Sequence, residues 1–454
     1  MTDVFIGPAI RTPIGRYGGS LSSVRADDLA AIAIAALLEK YSGLDPAQIN
    51  EVVLGCANQA GEDNRNVARM ASLLAGIPES VPAITVNRLC ASGLDAVGYG
   101  ARSVRSGEAD ILIAGGVESM SRAPFVQGKA EGAFARTAML EDTTIGWRFV
   151  NPRFDETFGT DTMPQTAEHV AQAYGISRAD QDAFAFRSQE RALLAQASGR
   201  LAAEIIPVAT ARAKEAQSVC VADEHPRSTS IAKLASLNPI TGPGGSVTPG
   251  NASGVNDGAA AMFIMSSLGV QRSGLAPRAK VLGFAAVGVE PRMMGIGPLP
   301  AIRKLLAQLA LSVSDFDVIE INEAFAAQVL AVTRSLGLDD DADHVNPNGG
   351  AIALGHPLGM SGARLVLSAI EEMHQRGLRR ALCAMCVGVG QGVAIALESA
   401  VPPRRMCENQ RHEQDKYPAR PTGERENETY LYFFVARVSS DFCTCPGAIG
   451  AAQE

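Results

Sequence analysis

The chain contains the same order of local patterns twice. In each copy a short apolar strand ends in a polar turn, at residues 56–58 and at residues 322–324. A helix pattern begins with Ser-Gly, at Ser92 and at Ser361, runs to a glycine and leads into a strand of small apolar residues. This alternation predicts parallel strands covered by helices. We therefore expect a duplicated α/β fold of parallel sheets covered by helices.

The repeat divides the chain into four parts. Residues 1–120 and 249–275 are predicted to form an N-terminal half, and residues 276–398 a C-terminal half. Residues 121–248 lose the rhythm of the repeat, so we expect an inserted loop domain over the open end of the sheets, where α/β proteins tend to bind ligands. Residues 399–454 are polar and charge-rich with little periodicity, which predicts an atypical, disordered tail.

Composition and charge exclude several classes of function. The formal net charge of −8 argues against nucleic acid as a partner, because phosphate binding requires a basic face. The chain shows no secretory signal pattern, and its longest early apolar run is too short to span a bilayer. Its 8 cysteines are scattered and do not resemble a disulfide framework. We therefore expect a protein of the reducing cytoplasm that does not bind membranes.

Cys90 lies where a buried strand is predicted to turn into a helix. Residues 83–86 form the strand pattern, and the helix pattern runs from Ser92 to Arg105. At a helix N-terminus the unpaired N–H groups and the dipole favour a thiolate, which is a nucleophile able to accept an acyl group. The alternative is that Cys90 is only a small core residue.

Three further residues lie at the ends of predicted elements in the second half. His356 follows a glycine-rich loop and precedes a Ser-Gly helix start, as Cys90 does, so a pseudo-twofold pairing of the halves would bring the two together. A buried structural histidine is the alternative. Cys386 ends an apolar strand and would present its thiol to the same site. Asn322 follows another strand, where its amide could serve an oxyanion or cap the next helix.

The sequence around Cys386 also suggests two other kinds of site. Cys383 and Cys386 form a C-x-x-C pair, but residues three apart on a strand point to opposite faces. The glycines of residues 388–392 suggest a dinucleotide loop, but residues 393–397 continue as a strand rather than a helix. We therefore predict no metal site and no redox cofactor.

Together, the motifs resemble those of the thiolase family. They are Asn-Arg-Leu-Cys-Ala-Ser-Gly around Cys90, Asn-Glu-Ala-Phe-Ala at Asn322, Gly-His-Pro at His356 and Cys-x-Gly-x-Gly-Gln-Gly at Cys386. The resemblance covers the chain to about Glu398. It implies a duplicated thiolase fold with two mixed sheets and layered helices. It also implies a CoA-dependent acyltransferase, with acyl-CoA and CoA as substrates and no cofactor.

The resemblance also implies a role for each motif. Cys90 would attack a 3-oxoacyl-CoA and retain the shortened acyl chain, while His356 accepts the thiol proton. Cys386 would protonate the departing enolate of acetyl-CoA, and free CoA would then remove the acyl group in ping-pong fashion. One anion hole would use His356 with a water on Asn322. The other would use the backbone N–H groups of Cys90 and Gly388.

Further residues are implied to bind CoA and the acyl chain. Ser253 would line the pantetheine channel, although the segment of residues 251–258 could be an ordinary turn. Arg227 would lie near the nucleotide end, although a solvated arginine is the alternative. Met163 and Phe325 would line the acyl pocket, although apolar residues there could equally belong to the core.

Residues 55–66 and 141–149 resemble the bacterial 3-oxoadipyl-CoA (β-ketoadipyl-CoA) branch of the family, which acts in aromatic degradation. This branch implies cleavage of 3-oxoadipyl-CoA by CoA to succinyl-CoA and acetyl-CoA. Thr162 stands where acetoacetyl-forming members carry histidine, which favours a degradative reaction. The far carboxylate would need a cation, for which Arg148 and Arg153 are equal candidates.

Other functions remain open at this point. A broad 3-ketoacyl-CoA thiolase of fatty-acid β-oxidation or an acetyl-CoA C-acetyltransferase would use the same motifs. A CoA- or lipid-binding relative without activity and a cysteine hydrolase explain them less completely. Residues 120–140 resemble the loop that joins dimers in tetrameric thiolases, so we expect a homotetramer.

Overall fold

The computed structural model describes residues 2–130, 132–210 and 218–401. The strands of these residues are β1 Val4–Arg11, β2 Gly15–Arg16, β3 Glu51–Gly55, β4 Ala83–Val86, β5 Ile111–Ser119, β6 Phe125–Gln127, β7 Leu140–Asp142, β8 Val208–Thr210, β9 Ser218–Cys220, β10 Asn256–Ser266, β11 Ala279–Gly288, β12 Val318–Ile321, β13 Arg380–Val387 and β14 Gln391–Ser399. The α-helices are α1 Ala26–Lys40, α2 Val67–Leu74, α3 Ser92–Ser106, α4 Pro152–Phe158, α5 Met163–Tyr174, α6 Arg178–Ala197, α7 Ile231–Ala235, α8 Ser267–Ser273, α9 Pro298–Leu309, α10 Ala326–Ser335, α11 Ala351–Leu354 and α12 Leu358–Arg376. Short 3-10 helices cover Ser20–Ser23, Pro46–Gln48, Leu89–Ala91, Pro291–Ile296 and Val313–Asp315.

The two halves of the chain build the same sheet pattern. In the first half β3 pairs in parallel with β4 and β5, and β10 runs antiparallel between β5 and β1. In the second half β12 pairs in parallel with β13, and β14 runs antiparallel between β13 and β11. A parallel bridge between Ile319 and Val345 stands where β4 stands in the first half. The predicted duplicated α/β fold is confirmed.

The two sheets are continuous rather than separate. Strands β1 and β11 pair over two positions, Phe5 with Lys280 and Ile6 with Ala279, which joins the halves into one ten-stranded sheet. Strand β4 is its last strand and has a neighbour on one side only. This edge position leaves β4 half-buried, so the prediction of a buried strand before Cys90 is wrong in this respect.

Helices α3 and α12 carry the two Ser-Gly pairs and pack against each other. Helix α3 begins at Ser92 as predicted, whereas α12 begins at Leu358, three residues before the predicted start at Ser361. A Cβ atom on Gly93 would overlap the carbonyl oxygen of Gly359, and one on Gly362 would overlap the backbone nitrogen of Leu94. The close approach therefore requires glycine at both positions. It holds the loop before α3 and the loop before α12 beside each other.

The structure places β6 to β9 and α4 to α7 between the halves of the repeat. The predicted domain boundaries stay a prediction. The predicted tail lies outside the described residues from residue 402 onward. Among the helices that the structure describes, none is both long and apolar enough to cross a membrane.

Candidate active site

Cys90 lies in a tight turn between β4 and α3, as the sequence predicts. Leu89 has a φ of 44°, a left-handed conformation that a leucine rarely adopts and that surrounding contacts must hold. The Leu89 N–H donates to Asn87 Oδ1 at 2.8 Å, and the Ser92 hydroxyl donates to the Leu89 carbonyl at 2.7 Å. These local bonds fix the backbone on either side of Cys90.

The Cys90 thiol is neutral in the free protein. Burial raises its pKa to about 11, although the N–H groups of Gly388 and of Cys90 itself act in the opposite direction. Desolvation therefore outweighs the backbone N–H groups, which the sequence predicts to favour a thiolate. A reaction at the Cys90 sulfur would require a base.

The hydrogen bonds around His356 define the tautomer of its neutral imidazole. Burial, together with a smaller effect of the Arg364 charge, lowers its pKa to about 3. The Ser361 hydroxyl donates to the Pro357 carbonyl at 2.9 Å, so its oxygen accepts the Nδ1–H of His356 at 2.6 Å. The Nε2 atom therefore carries the lone pair, and it can accept a proton.

Asn322 follows β12 directly but does not cap a helix, since α10 begins only at Ala326 with Phe325 as the preceding residue. Its Nδ2 atom lies 3.5 Å from Nε2 of His356. Its buried Oδ1 atom has no hydrogen-bond partner among the described residues. A buried amide oxygen of this kind is costly unless a water or a ligand satisfies it, so the pair forms a polar site suited to a bound oxygen.

Cys386 and Gly388 lie at the hairpin between β13 and β14. Burial raises the pKa of the Cys386 thiol, and the nearby Cys90 raises it further, so Cys386 is also neutral. Cys383 packs into the core on the other side of the sheet, as expected for residues three apart on a strand. The Gly388 N–H lies near enough to the Cys90 sulfur to lower the pKa of its thiol. The hairpin thus brings a second thiol and a backbone N–H group beside Cys90.

A cavity of about 470 Å³ opens at the Cys90 thiol. Its lining combines residues of the two halves with residues of the inserted segment. These residues are Ala57, Asn58, Leu89, Cys90, Met120, Thr143, Thr144, Ile145, Gly146, Trp147, Arg148, Phe149, Thr162, Met163, Leu358, Gly388 and Val389. Met163 is among them, whereas Phe325 lies behind the wall in an apolar cluster with Cys386.

The predicted CoA contacts lie beside this centre and not in the cavity wall. Ser253 donates its backbone N–H to the Ala324 carbonyl at 3.0 Å, and Val255 forms a parallel bridge with His356. Arg227 is exposed, and its guanidinium lies 3.4 Å from the Pro249 carbonyl. The structure therefore brings Ser253 next to the catalytic loops and leaves Arg227 farther out.

Sequence reasoning missed the residues that support the site. Glu118 accepts the N–H groups of Ala57, Asn58 and Gly359, which ties the loop after β3 to the start of α12. Burial raises the pKa of Glu118 to about 7. Its position at the end of β5 was the available signal. For Ser361, the signal was its place at the repeated helix start.

Cys56, Asp63 and Glu118 offer ligand atoms within 4.8 Å of one another. The Cys56 thiol donates to the Asn58 carbonyl at 2.9 Å, and Glu118 is occupied by the three N–H groups. The side chains are therefore already bonded within the protein. The cluster supports the loop after β3, and it gives no reason to assign a metal.

Known proteins resemble the chain over most of its length. Models of the thiolase N-terminal domain and the thiolase C-terminal domain match residues 4–267 and 275–399. A β-ketoadipyl-CoA thiolase of Pseudomonas knackmussii is 63% identical over 397 residues, covering 87% of this chain and 99% of that protein. A 3-oxoadipyl-CoA/3-oxo-5,6-dehydrosuberyl-CoA thiolase of Escherichia coli is 61% identical over 399 residues, covering 88% and 100%. The crystal structure of an acetyl-CoA acetyltransferase of Bacillus anthracis is 39% identical, with a TM-score of 0.82 over 88% of this chain and 99% of that one.

Proposed function

The chain belongs to the thiolase family, and we propose that it cleaves 3-oxoadipyl-CoA with CoA to give succinyl-CoA and acetyl-CoA. The observation that carries the choice of substrate is the difference in identity between relatives. Those named for the 3-oxoadipyl or β-ketoadipyl substrate share 61% and 63% of aligned residues, against 39% and 44% for two proteins named acetyl-CoA acetyltransferase. A broad 3-ketoacyl-CoA thiolase is the second candidate.

The first step is the attack of Cys90 on the 3-oxo carbon. His356 Nε2 accepts the thiol proton as the sulfur–carbon bond forms, and negative charge develops on the 3-oxo oxygen. The backbone N–H groups of Cys90 and Gly388 donate to this oxygen. The pKa of the Cys90 thiol supports the assignment, because the N–H groups of Gly388 and Cys90 both lower it and therefore lie near the sulfur.

The second step breaks the bond between C2 and C3 of the substrate. The 3-oxo carbonyl re-forms as a succinyl thioester on Cys90, and the bonding electrons pass to the acetyl-CoA unit as an enolate. The protonated His356 and a water on Asn322 donate to the enolate oxygen. The Cys386 thiol gives its proton to C2, which releases acetyl-CoA and leaves a thiolate on Cys386.

The third step transfers the succinyl group to CoA. The Cys386 thiolate accepts the thiol proton of the incoming CoA, whose sulfur attacks the succinyl thioester. The Cys90 sulfur leaves and takes back the proton held by His356. CoA enters as a substrate, and none of the three steps uses a metal or a redox cofactor.

The test is thiolysis of 3-oxoadipyl-CoA beside 3-oxohexanoyl-CoA, a neutral chain of the same length. We expect the wild type to prefer 3-oxoadipyl-CoA, and Cys90→Ala to lose at least about 10⁴-fold in kcat. Cys220→Ala, in which the altered cysteine lies on β9 outside the cavity, is the matched control. Comparable rates on both substrates would favour the broad thiolase. Activity of Cys90→Ala close to that of the control would overturn the assignment of the nucleophile.

We also propose a homotetramer of the cytoplasm. Large apolar side chains are exposed in and next to the predicted dimer-joining loop, including Phe134, Met139 and Leu140. The half-buried edge strand β4 offers a second self-association surface. The cysteines of the described residues are free thiols, which fits a reducing compartment. Sedimentation equilibrium giving a stable monomer would overturn the tetramer.

A further inference from the structure

The cavity at Cys90 contains one charged side chain. Among its lining residues only Arg148 carries a charge, and the others are apolar, aromatic, amide or hydroxyl side chains apart from the nucleophile itself. We infer that Arg148 binds the far carboxylate of the acyl chain and thereby selects dicarboxylic substrates. This inference rests on the proposed function, since it names the group that recognises that substrate.

The Arg148 guanidinium is available to a ligand. Within the described part of the chain it forms no hydrogen bond and no ion pair, whereas Arg122 pairs with Glu62 and Arg292 with Asp161 at the same end of the molecule. An arginine offers five N–H donors in a planar fork that matches a carboxylate in two parallel hydrogen bonds. Arg148 therefore has the chemistry and the unoccupied donors that a carboxylate requires.

The other polar groups of the lining are already bonded within the wall. The Thr143 hydroxyl donates to the Pro124 carbonyl at 2.7 Å and accepts from the Asn58 amide at 3.2 Å. The Thr144 hydroxyl donates to Asp142 at 2.7 Å. These groups hold the shape of the wall and have little capacity left for an anion. Arg148 is thus the group of the lining that can neutralise a bound carboxylate.

The structure distinguishes Arg148 from Arg153 as candidates to bind the far carboxylate, which the sequence could not do. Arg153 lies on α4, is exposed and does not line the cavity. Arg148 precedes that helix and also acts electrostatically on Asp63, a buried residue that does not line the cavity and whose pKa is raised by burial and lowered in part by the Arg148 charge. The two side chains form no ion pair, so Asp63 leaves the guanidinium free to bind substrate.

An arginine in an apolar cavity favours a dicarboxylic acyl chain and also disfavours a neutral one. A carboxylate that enters such a cavity loses its hydration and is bound only if a cation replaces that hydration. A neutral chain of the same length leaves the guanidinium without an anion and with fewer water contacts. The Arg148 side chain therefore favours the dicarboxylic substrate and disfavours the neutral one.

The experiment compares the selectivity of Arg148→Gln, Arg148→Lys and Arg153→Gln with that of the wild type. The readout is kcat/KM for 3-oxoadipyl-CoA divided by kcat/KM for 3-oxohexanoyl-CoA. We expect this ratio to fall on the order of 100-fold in Arg148→Gln, mainly through KM for the dicarboxylic substrate, and less in Arg148→Lys. Arg153→Gln changes an arginine outside the cavity and should keep the wild-type ratio.

Each alternative outcome has a definite meaning. An equal loss on both substrates in Arg148→Gln would place Arg148 on the CoA moiety or in the support of the loop, and would overturn the inference. An unchanged ratio would overturn it as well. A wild-type ratio near one would instead contradict the proposed function, whatever Arg148→Gln does. The rate on 3-oxohexanoyl-CoA reports in the same assay whether each variant is folded.

Discussion

The duplicated framework and the inserted segment contribute different things to the same cavity. Cys90, Asn322 and Cys386 follow or end framework strands, and His356 lies between α11 and α12. Buried hydrogen bonds join His356 to Ser361 and to Asn322. Residues 143–149 come from the inserted segment and supply an aromatic and cationic wall that is partly exposed. The difference teaches that the chemistry depends on the framework, whereas the choice of acyl chain depends on the insertion.

The largest effect should come from separating the two central helices. In Gly362→Ala the new methyl group would overlap the backbone of Leu94, so α3 and α12 must move apart and the Cys90 and His356 loops with them. We expect a loss of stability of about 3 kcal/mol or more and the loss of activity on every acyl-CoA. Differential scanning calorimetry and thiolysis assays measure the two effects.

Gly43→Ala is the matched control, because a methyl group there meets no atom within 4 Å. If Gly362→Ala had the same melting temperature as Gly43→Ala and kept its activity, the framework would not depend on this contact. A selective loss on one substrate would also contradict the comparison, since it would give the framework a part in substrate choice.

A smaller effect should come from Ser361→Ala, which keeps a good helix former inside α12 but removes the acceptor of the His356 Nδ1–H. The imidazole is then free to adopt the other tautomer, so fewer molecules present the Nε2 lone pair to Cys90. We expect kcat to fall about 10-fold with both acyl-CoA substrates and with little change in KM. Rapid-quench measurement of Cys90 acylation isolates this step.

Ser361→Thr retains a hydroxyl and should restore most of the rate. A rescue of this kind distinguishes positioning of His356 from a general packing effect. If Ser361→Ala changed KM and left the acylation rate at the wild-type value, Ser361 would not position the base.

The framework could be predicted from the sequence in some detail, because its signals are local. The Ser-Gly start and the following glycine predicted a helix from Ser92 to Arg105, and the observed helix ends at Ser106. Asn322 was expected directly after a strand, and β12 ends one residue before it. The pairing of β1 with β11 could not be predicted, because two short stretches of distant sequence form it.

The electrostatics of the site could not be predicted for a related reason. A helix N-terminus is a local feature that lowers a thiol pKa, whereas the burial that raises the pKa of Cys90 to about 11 depends on how distant segments pack around it. The sequence could not distinguish Arg148 from Arg153 for the same reason. The two arginines are close in the sequence, and only the path of the chain into α4 separates their surroundings.

The smallest effect should come from Trp147→Leu, which changes the inserted wall alone. The Trp147 ring lines the cavity, lies 5.3 Å from the ring of Phe154 and donates its N–H to the Asp161 carbonyl at 3.1 Å. Leucine leaves more room for the acyl chain, so selectivity between 3-oxooctanoyl-CoA and 3-oxohexanoyl-CoA should shift about fivefold toward the longer chain. Phe158→Leu also alters an aromatic residue that packs on Phe154, but outside the cavity, and should keep the wild-type selectivity. The rate of Cys90 acylation by 3-oxohexanoyl-CoA should stay within about twofold in both variants, because the groups that activate Cys90 belong to the framework. A loss of acylation on the scale of Ser361→Ala would mean that the insertion also orders the nucleophile, and the division between chemistry and selectivity would then fail.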